Sequence, residues 1–258
     1  MDWKKLSTTK ITEVYNRLFL SRCYLCRAKS RNALCSYCQE GLPTNTNSCH
    51  HCKLPLLTTS ILCGQCQTSP PAYQTCIAPY RFEGIIKTLI HSIKFNQGNH
   101  YIRPLTHLLS EKLIHAYEQD SWPEQLLYVP SHPSRIKERG FCQTKTLSSH
   151  LIRHLQQKIG KKCPIYTKNN PIKKVKNAQT QHSLSRKERL KNPKNNYTVD
   201  NSTAKHVALL DDVMTTGSTI ETCTKLLLNA GAERVDIWVI ARTPEKDNPH
   251  LAITQTFR

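Results

Sequence analysis

Acidic side chains are scarce in this sequence. Eighteen Asp and Glu stand against 37 Lys and Arg in 258 residues, a formal net charge of +19. That imbalance prevents neither folding nor solubility, but it selects anionic partners. Apolar residues are also sparse at 38%, below the usual range yet enough for one substantial core. No apolar run approaches the roughly 18 residues that a membrane span needs. The N-terminus does not read as a signal peptide, because Arg17 and several polar residues interrupt it before a hydrophobic segment can form. The composition excludes collagen-like, coiled-coil and low-complexity classes. The length suggests about two domains.

Cysteine, by contrast, is abundant and unevenly placed. Nine of the twelve lie in the first 76 residues; the others are Cys142, Cys163 and Cys223. With no export signal, the expected compartment is the reducing cytosol, where dense cysteines point to metal rather than to disulfides. The pattern is Cys23-x2-Cys26-x8-Cys35-x2-Cys38, then, after ten residues, Cys49-x2-Cys52-x10-Cys63-x2-Cys66. Each Cys-x2-Cys knuckle can set two thiolates on one tetrahedral ion, and two knuckles close a site with no open position for chemistry. Two structural zinc ions are therefore expected, in a segment with no other obvious source of stability. Iron–sulfur ligation and disulfides are the competing readings. Sequential pairing has shorter loops to close than an interleaved arrangement. His50 and His51 are possible substitute ligands, though a solvated role suits them better.

The charge divides as unevenly as the cysteines. Residues 1–80 carry nine basic and three acidic side chains, 81–128 five and five, 129–200 seventeen and three, and 201–258 six and seven. Residues 1–22 form a leader in which Ile11, Val14, Tyr15 and Leu18 share a helical face. That face packs on its own protein or, with Lys4, Lys5, Lys10 and Arg17, lies on an anionic membrane. Residues 23–70 form the double zinc-ribbon-like module, and Pro70-Pro71 mark a linker. From residue 76 to 258 the texture is α/β. Ile77–Phe82, Leu126–Val129, Val207–Leu210 and Val235–Ile240 read as strands. Ile85–Ile93, Leu105–Ala116 and Leu147–Ile159 have helical spacing. Such alternation implies a mainly parallel sheet covered on both faces.

The most informative segment is Val207-Ala208-Leu209-Leu210-Asp211-Asp212-Val213-Met214-Thr215-Thr216-Gly217-Ser218-Thr219-Ile220. A buried strand ends in two carboxylates, and a hydroxyl-rich turn with one glycine follows. Ser218-Thr219-Ile220-Glu221 then reads as a capping box opening a helix. A helix N-terminus offers free N–H groups and a positive dipole, so a phosphate fits beside Gly217. Asp211 and Asp212 suit sugar hydroxyls or magnesium-bound water. Together these groups fit a phosphorylated ribose. Capping alone would explain Ser218 and Glu221, but not two consecutive carboxylates at the end of the strand, where α/β folds bind ligands.

This segment resembles the phosphoribosyl-pyrophosphate (PRPP) loop of type I phosphoribosyltransferases. Further residues narrow the resemblance to the ComF (ComFC/GntX-like) competence family. They are Val129-Pro130 through Arg135, Arg139-Gly140-Phe141-Cys142-Gln143, Ile93-Lys94-Phe95, Gln179-Thr180-Gln181 through Leu184-Ser185 with Arg189 and Asn192, and the doubled cysteine pattern. Cys142 stands where the family usually has Asn. The resemblance spans about residues 20–243 and implies a Rossmann-like type I phosphoribosyltransferase domain behind a small zinc-ribbon module. It assigns ribose and Mg2+ to Asp211 and Asp212, with Arg139 completing the catalytic group. The 5-phosphate falls to Thr215, Thr216, Gly217, Ser218 and Thr219, and pyrophosphate to the turn Ser131–Arg135. Lys173, Lys174 and Lys176 would sit in a loop that closes over the leaving group. Arg186 and Arg189 are either helpers there or part of a solvated face. Gln143, Tyr128 and His182 are possible bases. No base-binding hood is recognisable, so no acceptor is named.

The family is linked to natural transformation, in which incoming single-stranded DNA reaches the cytoplasm. The basic block at 129–200 exceeds what pyrophosphate needs and suits a nucleic-acid surface. Arg22, Arg27, Lys29 and Arg31 flank the first knuckle, and Tyr24 and Tyr37 could stack on bases. The resemblance therefore implies a cytoplasmic protein, peripheral at the inner membrane if it meets the DNA-uptake machinery, with PRPP and single-stranded DNA as partners. A PRPP-dependent transferase of nucleotide metabolism and a non-catalytic zinc-ribbon scaffold are the alternatives.

Overall fold

The computed structural model describes residues 21–30, 34–57, 60–95, 98–160, 163–166, 169–174, 196–200 and 204–245. In chain order the first elements are β1 (Ser21–Arg22), β2 (Lys29–Ser30), α1 (Ser36–Glu40) and α2 (Gly64–Thr68). Then come β3 (Thr75–Ile77), β4 (Tyr80–Arg81), α3 (Gly84–Phe95), α4 (Ile102–Ala116), β5 (Gln125–Tyr128), α5 (Pro133–Arg139) and α6 (Gln143–Ile159). The last are β6 (Ile172–Lys174), β7 (Tyr197–Val199), β8 (His206–Met214), α7 (Ser218–Asn229) and β9 (Arg234–Arg242).

The central sheet has the order β3-β9-β8-β5, with β4 pairing beyond β3 along β9, and all of its pairings are parallel. Val207 lies beside Val235, Leu210 beside Trp238 and Met214 beside Arg242. The long apolar runs of β8 and β9 follow from burial on both faces. Val207, Leu209, Val235 and Ile237 share a cluster with Ile220, Cys223 and Leu227 of α7. Trp238, whose neighbour Ile237 faces that cluster, donates its indole N–H to Tyr117 Oη, 3.1 Å away at the end of α4. Helix α3 buries Ile86, Leu89, Ile90 and Ile93, an i, i+3, i+4, i+7 stripe that meets the core on one side only. Each such side chain contributes about 2 kcal/mol when fully buried.

Three sequence expectations change. The strand expected over Ile77–Phe82 is two short strands, because Pro79 has no N–H to donate to a ladder. The strand expected to end at Leu210 runs on to Met214, since β9 pairs with it that far, so Asp211 and Asp212 lie inside a strand. Lys173 and Lys174 sit on β6, antiparallel to β7, rather than in an irregular loop. Lys176, Gln179–Gln181, His182, Leu184–Arg186, Arg189 and Asn192 lie outside the described residues, as do Arg31 and residues 1–20 of the leader expected over 1–22.

The contacts divide the chain into residues 1–42 and 43–258. The sequence reading grouped both cysteine sets over 23–70, with the larger domain starting at 76; here the second set belongs with the sheet. Backbone bonds make that so: Arg81 N–H donates to Pro43 at 2.8 Å and Asn45 N–H to Pro79 at 2.8 Å, while Thr44 bridges Tyr80. Among the described residues, no helix is long and apolar enough to cross a membrane.

Candidate functional site

The turn between β8 and α7 has a backbone that only glycine adopts freely. Gly217 has φ 82° and is the N-cap of α7, in the left-handed region where a Cβ is strained. The expected capping box is not formed. Ser218 is the first helical residue, and Glu221 turns away from it to accept from the Ala72 N–H at 3.0 Å and to pair with Lys225 at 2.8 Å. A glycine cap offers no side-chain acceptor, so the first-turn donors stay free. Among the described residues, the N–H groups of Gly217, Thr219 and Ile220 have no protein acceptor. With Asp211 and the residues from Val213 to Ser218 they line a cavity of about 50 Å³. Free donors and helix dipole together favour a compact anion there.

Asp211 and Asp212 are consecutive on β8, and their carboxyl groups lie close enough to interact directly. Asp212, 7% exposed, takes Lys94 of α3, with Nζ 2.5 Å from Oδ2. The Asp211 charge reaches Cys223 of α7 and adds to the burial that pushes that thiol up to about 12. Burial, with the neighbouring Asp212 carboxylate, raises the Asp211 carboxyl well above the usual carboxylate range. Each aspartate also accepts from the next backbone N–H, Asp212 N to Asp211 Oδ1 at 2.8 Å and Val213 N to Asp212 Oδ1 at 2.7 Å. Sequence reasoning left Lys94 without a role. Ile93-Lys94-Phe95 belongs to the family resemblance, but a place in the last turn of an amphipathic helix is where most lysines are solvated.

Parallel pairing brings the turn after β5 to the same end of the sheet. Tyr128 is in register with Leu210, and the Val129 N–H donates to Leu210 at 3.0 Å, so Val129 comes level with Asp211 and Ser131 follows two residues on. Arg139 stacks over Phe95 with its guanidinium carbon 5.3 Å from the ring centroid, next in sequence to Lys94. Its Nε and Nη2 are buried without a hydrogen-bond partner. Such donors are rare in a finished structure and call for an acceptor. Arg135 is exposed. Lys174 lies over the Tyr197 ring at 5.0 Å and acts electrostatically on Cys223, whereas Lys173 is engaged by Asp200. The Cys142 thiol, in the Asn position of the family, sits 3.4 Å from Thr144 Oγ1 and 3.7 Å from Ser131 Oγ. Burial pushes it up, but hydrogen bonds with Thr144 and Ser131 and from backbone N–H groups outweigh that and leave it below the usual thiol range. Of the possible bases, Gln143 has a buried Nε2 without a partner, and burial raises the Tyr128 hydroxyl.

The cysteines converge as two sequential sets, Cys23/Cys26/Cys35/Cys38 and Cys49/Cys52/Cys63/Cys66, with all sulfurs of a set within 4.8 Å of one another. The sequential pairing is therefore the observed one. Cys26–Cys35 and Cys52–Cys63 have Sγ···Sγ distances of 3.6 Å, close to the edge of about 3.8 Å in a tetrahedron with Zn–S about 2.3 Å. All eight are free thiols, too far apart for disulfides. With all four sulfurs of a set within 4.8 Å of one another, they are too close for a multi-iron cluster, whose thiolates are spread over at least two irons. The donor set fits one tetrahedral ion of the zinc type in each group. His51 is not a ligand; its Nε2 meets the Tyr73 carbonyl at 3.1 Å.

Comparison with known proteins agrees with this arrangement. The phosphoribosyl transferase domain model matches residues 145–256. The DNA utilization protein YhgH of Escherichia coli K12 is 30% identical over 227 residues, covering 86% of this chain and 96% of the relative. Competence protein F of Haemophilus influenzae is 33% identical over 233 residues, covering 87% and 98%. A hypoxanthine-guanine phosphoribosyltransferase of Bacillus anthracis overlaps 57% of this chain and 70% of its own at 13% identity, with a TM-score of 0.33, a likeness too loose to argue from. With near-full-length similarity to the first two, two four-cysteine groups within residues 23–66 and a phosphoribosyltransferase-fold sheet later in the sequence, the chain belongs to the ComF competence family.

Proposed function

We propose that the chain binds PRPP with Mg2+ at the C-terminal ends of β5 and β8 and serves the handling of single-stranded DNA in natural transformation. One observation carries the first half. Asp211 and Asp212 lie on a strand that leads into a turn of unpaired N–H groups around a small cavity. On this reading the aspartates hold the ribose hydroxyls and the waters of Mg2+, and Thr215 to Thr219 hold the 5-phosphate. Ser131, Arg135 and Arg139 face the pyrophosphate, with Lys174 on the other side of the site. Mg2+ when bound neutralises charge on the leaving group. Arg139, with two buried donors lacking an acceptor, suits an anion that gains charge as the C1–O bond lengthens.

The second half rests on the relatives' names, which speak of DNA utilization and competence, and on the seventeen basic side chains of residues 129–200. Pyrophosphate accounts for few of them, and a phosphate backbone accounts for more.

Calorimetry with Mg–PRPP tests the first half. The wild type binds, and Asp211→Asn/Asp212→Asn loses at least about 100-fold in affinity, the scale of two lost charge-assisted contacts. A folded, metal-loaded wild type that does not bind would sink it. The double variant also separates the halves, because DNA binding that survives it and falls steeply with salt belongs to the basic surface. Pyrophosphate release on addition of an acceptor would favour a transferase of nucleotide metabolism. DNA affinity at the nonspecific background, with a stable protein complex, would favour a scaffold.

A further inference from the structure

Arg242, the last residue of β9, is 4% exposed, and among the described residues no carboxylate pairs with it. Its guanidinium is held by backbone carbonyls alone. Nε donates to Cys52 at 3.2 Å, and Nη1 donates to Met214 at 2.9 Å, to Thr243 at 3.3 Å and to Thr215. Cys52 belongs to the second four-cysteine group, while Met214 and Thr215 lead into the phosphate turn. A cavity of about 580 Å³ lies between the knuckle and the turn, lined by Cys66, Tyr73, Thr216 and Arg242 among others. Among the described residues, every hydrogen bond that joins residues 49–66 to residues 211–220 runs through this guanidinium.

A buried cation surrounded by carbonyl dipoles still lacks a counter-charge. Four thiolates around one divalent ion carry a net charge of −2, and the carbonyl of one ligand residue is already bonded to Arg242. We infer that Arg242 is a positioning residue that couples metal occupancy of the second four-cysteine group to the geometry of the phosphate turn. With the ion in place, the centre balances Arg242 and fixes the Cys52 carbonyl. Arg242 in turn holds the Met214 and Thr215 carbonyls, so that the N–H groups after them point into the phosphate cavity. Without the ion, Arg242 loses its counter-charge and one anchored acceptor, and the turn loosens.

The ligand arm of the test rests on the PRPP reading, but the coupling itself does not. Coupling is reciprocal, so an ion that tightens PRPP binding must be tightened by PRPP to the same extent. The full chain carrying Cys26→Ser/Cys38→Ser leaves only the second group to titrate. Chelator competition then gives its Zn2+ affinity with and without Mg–PRPP, and calorimetry gives Mg–PRPP affinity with and without Zn2+. The expected factor is about tenfold in both directions. Arg242→Met abolishes it while Zn2+ still binds, and Arg242→Lys, which keeps the charge but loses the fork, restores part of it. Hydrogen exchange on the wild-type chain reads the turn without any ligand. Stripping the metal speeds exchange at Glu221 and Thr243, whose N–H groups donate to Gly217 and Met214 of the turn, and leaves Gln125–Tyr128 protected.

Equal PRPP affinity with and without Zn2+, or uniform exchange across the sheet, would overturn the inference. If PRPP binds neither form, the functional reading fails and the exchange pattern alone decides the coupling. If Arg242→Met does not fold, the reciprocal measurement on the arginine-bearing chain decides it.

Discussion

Residues 23–40 and 49–68 fold alike. In each, the first cysteine's N–H donates to the carbonyl five residues on, Cys23 to Ala28 and Cys49 to Leu54, both at 2.8 Å. Arg27 and Lys53, each four residues past that cysteine, adopt positive φ of 62° and 55°. Cys35 and Cys63 cap the short helices α1 and α2 with nearly the same backbone angles. Gln39 and Gln67 each donate to the carbonyl five residues back. The surroundings differ. Cys26 is exposed and Cys35 and Cys38 half-buried, whereas all four cysteines of the second set are buried and share one cluster with Leu209, Ile237 and Val239 of the sheet. One local motif therefore serves two purposes. The second ribbon is part of the wall that supports the phosphate turn.

The sharpest way to break this comparison is to remove each metal group in turn. Cys52→Ser/Cys66→Ser should cost the 43–258 unit about 4 kcal/mol or more, the scale of losing a structural metal site from a core. Cys26→Ser/Cys38→Ser should leave that unit's transition within about 1 kcal/mol, a surface-scale effect. Urea unfolding followed by fluorescence of Trp122 and Trp238 measures both. Equal losses would mean that burial of the second set carries no special weight.

A smaller effect is expected at Lys94, a half-buried cation of the site region. Lys94→Met leaves Asp212 buried without its partner and should destabilise the protein by about 2 kcal/mol, below the range for fully buried pairs because Lys94 is partly exposed. Adding Asp212→Asn should recover most of that loss. Strict additivity in the double-mutant cycle would show that the pair does not interact.

The smallest effect lies at the opposite end of the sheet. Hydrogen bonds from Arg234 hold the Asp120 carboxyl down to about 2, against an ordinary value of 3.8. A depressed carboxyl stabilises the fold above its unfolded pKa, and that contribution is lost as pH falls from about 4 towards 2. Asp120→Asn should flatten the acid limb of stability in that window. Denaturant midpoints at stepped pH read it, with metal content followed in parallel to separate it from acid release of the ions. An unchanged limb would show that other groups carry the acid loss.

Much of this was legible in order of residues alone. The stripe of α3 and the runs of β8 and β9 are periodicities within a few turns or strand repeats, and burial of one face or two produces them directly. The cysteine pairs and the Asp-Asp to Thr-Thr-Gly-Ser-Thr segment are equally local, since the knuckle and the strand–turn–helix close within their own residues. The capping box misled because Ser-x-x-Glu also fits a helix whose cap is the preceding glycine, and the Ala72 N–H that competes for Glu221 lies far away in sequence.

Sequence by itself determined the two ribbons, the strand–turn–helix of the phosphate site and the α/β class, because short-range geometry decides each of them. Tertiary structure alone decided that the second ribbon joins the sheet, that Lys94 meets Asp212, that Arg139 lies over Phe95 with free donors, and that Arg242 links Cys52 to the turn. In the last three a charged side chain reaches an element distant in the chain. A lysine or arginine bound for a buried partner looks in sequence like one bound for solvent. Only the packing of the sheet, which removes water from around that side chain, separates the two.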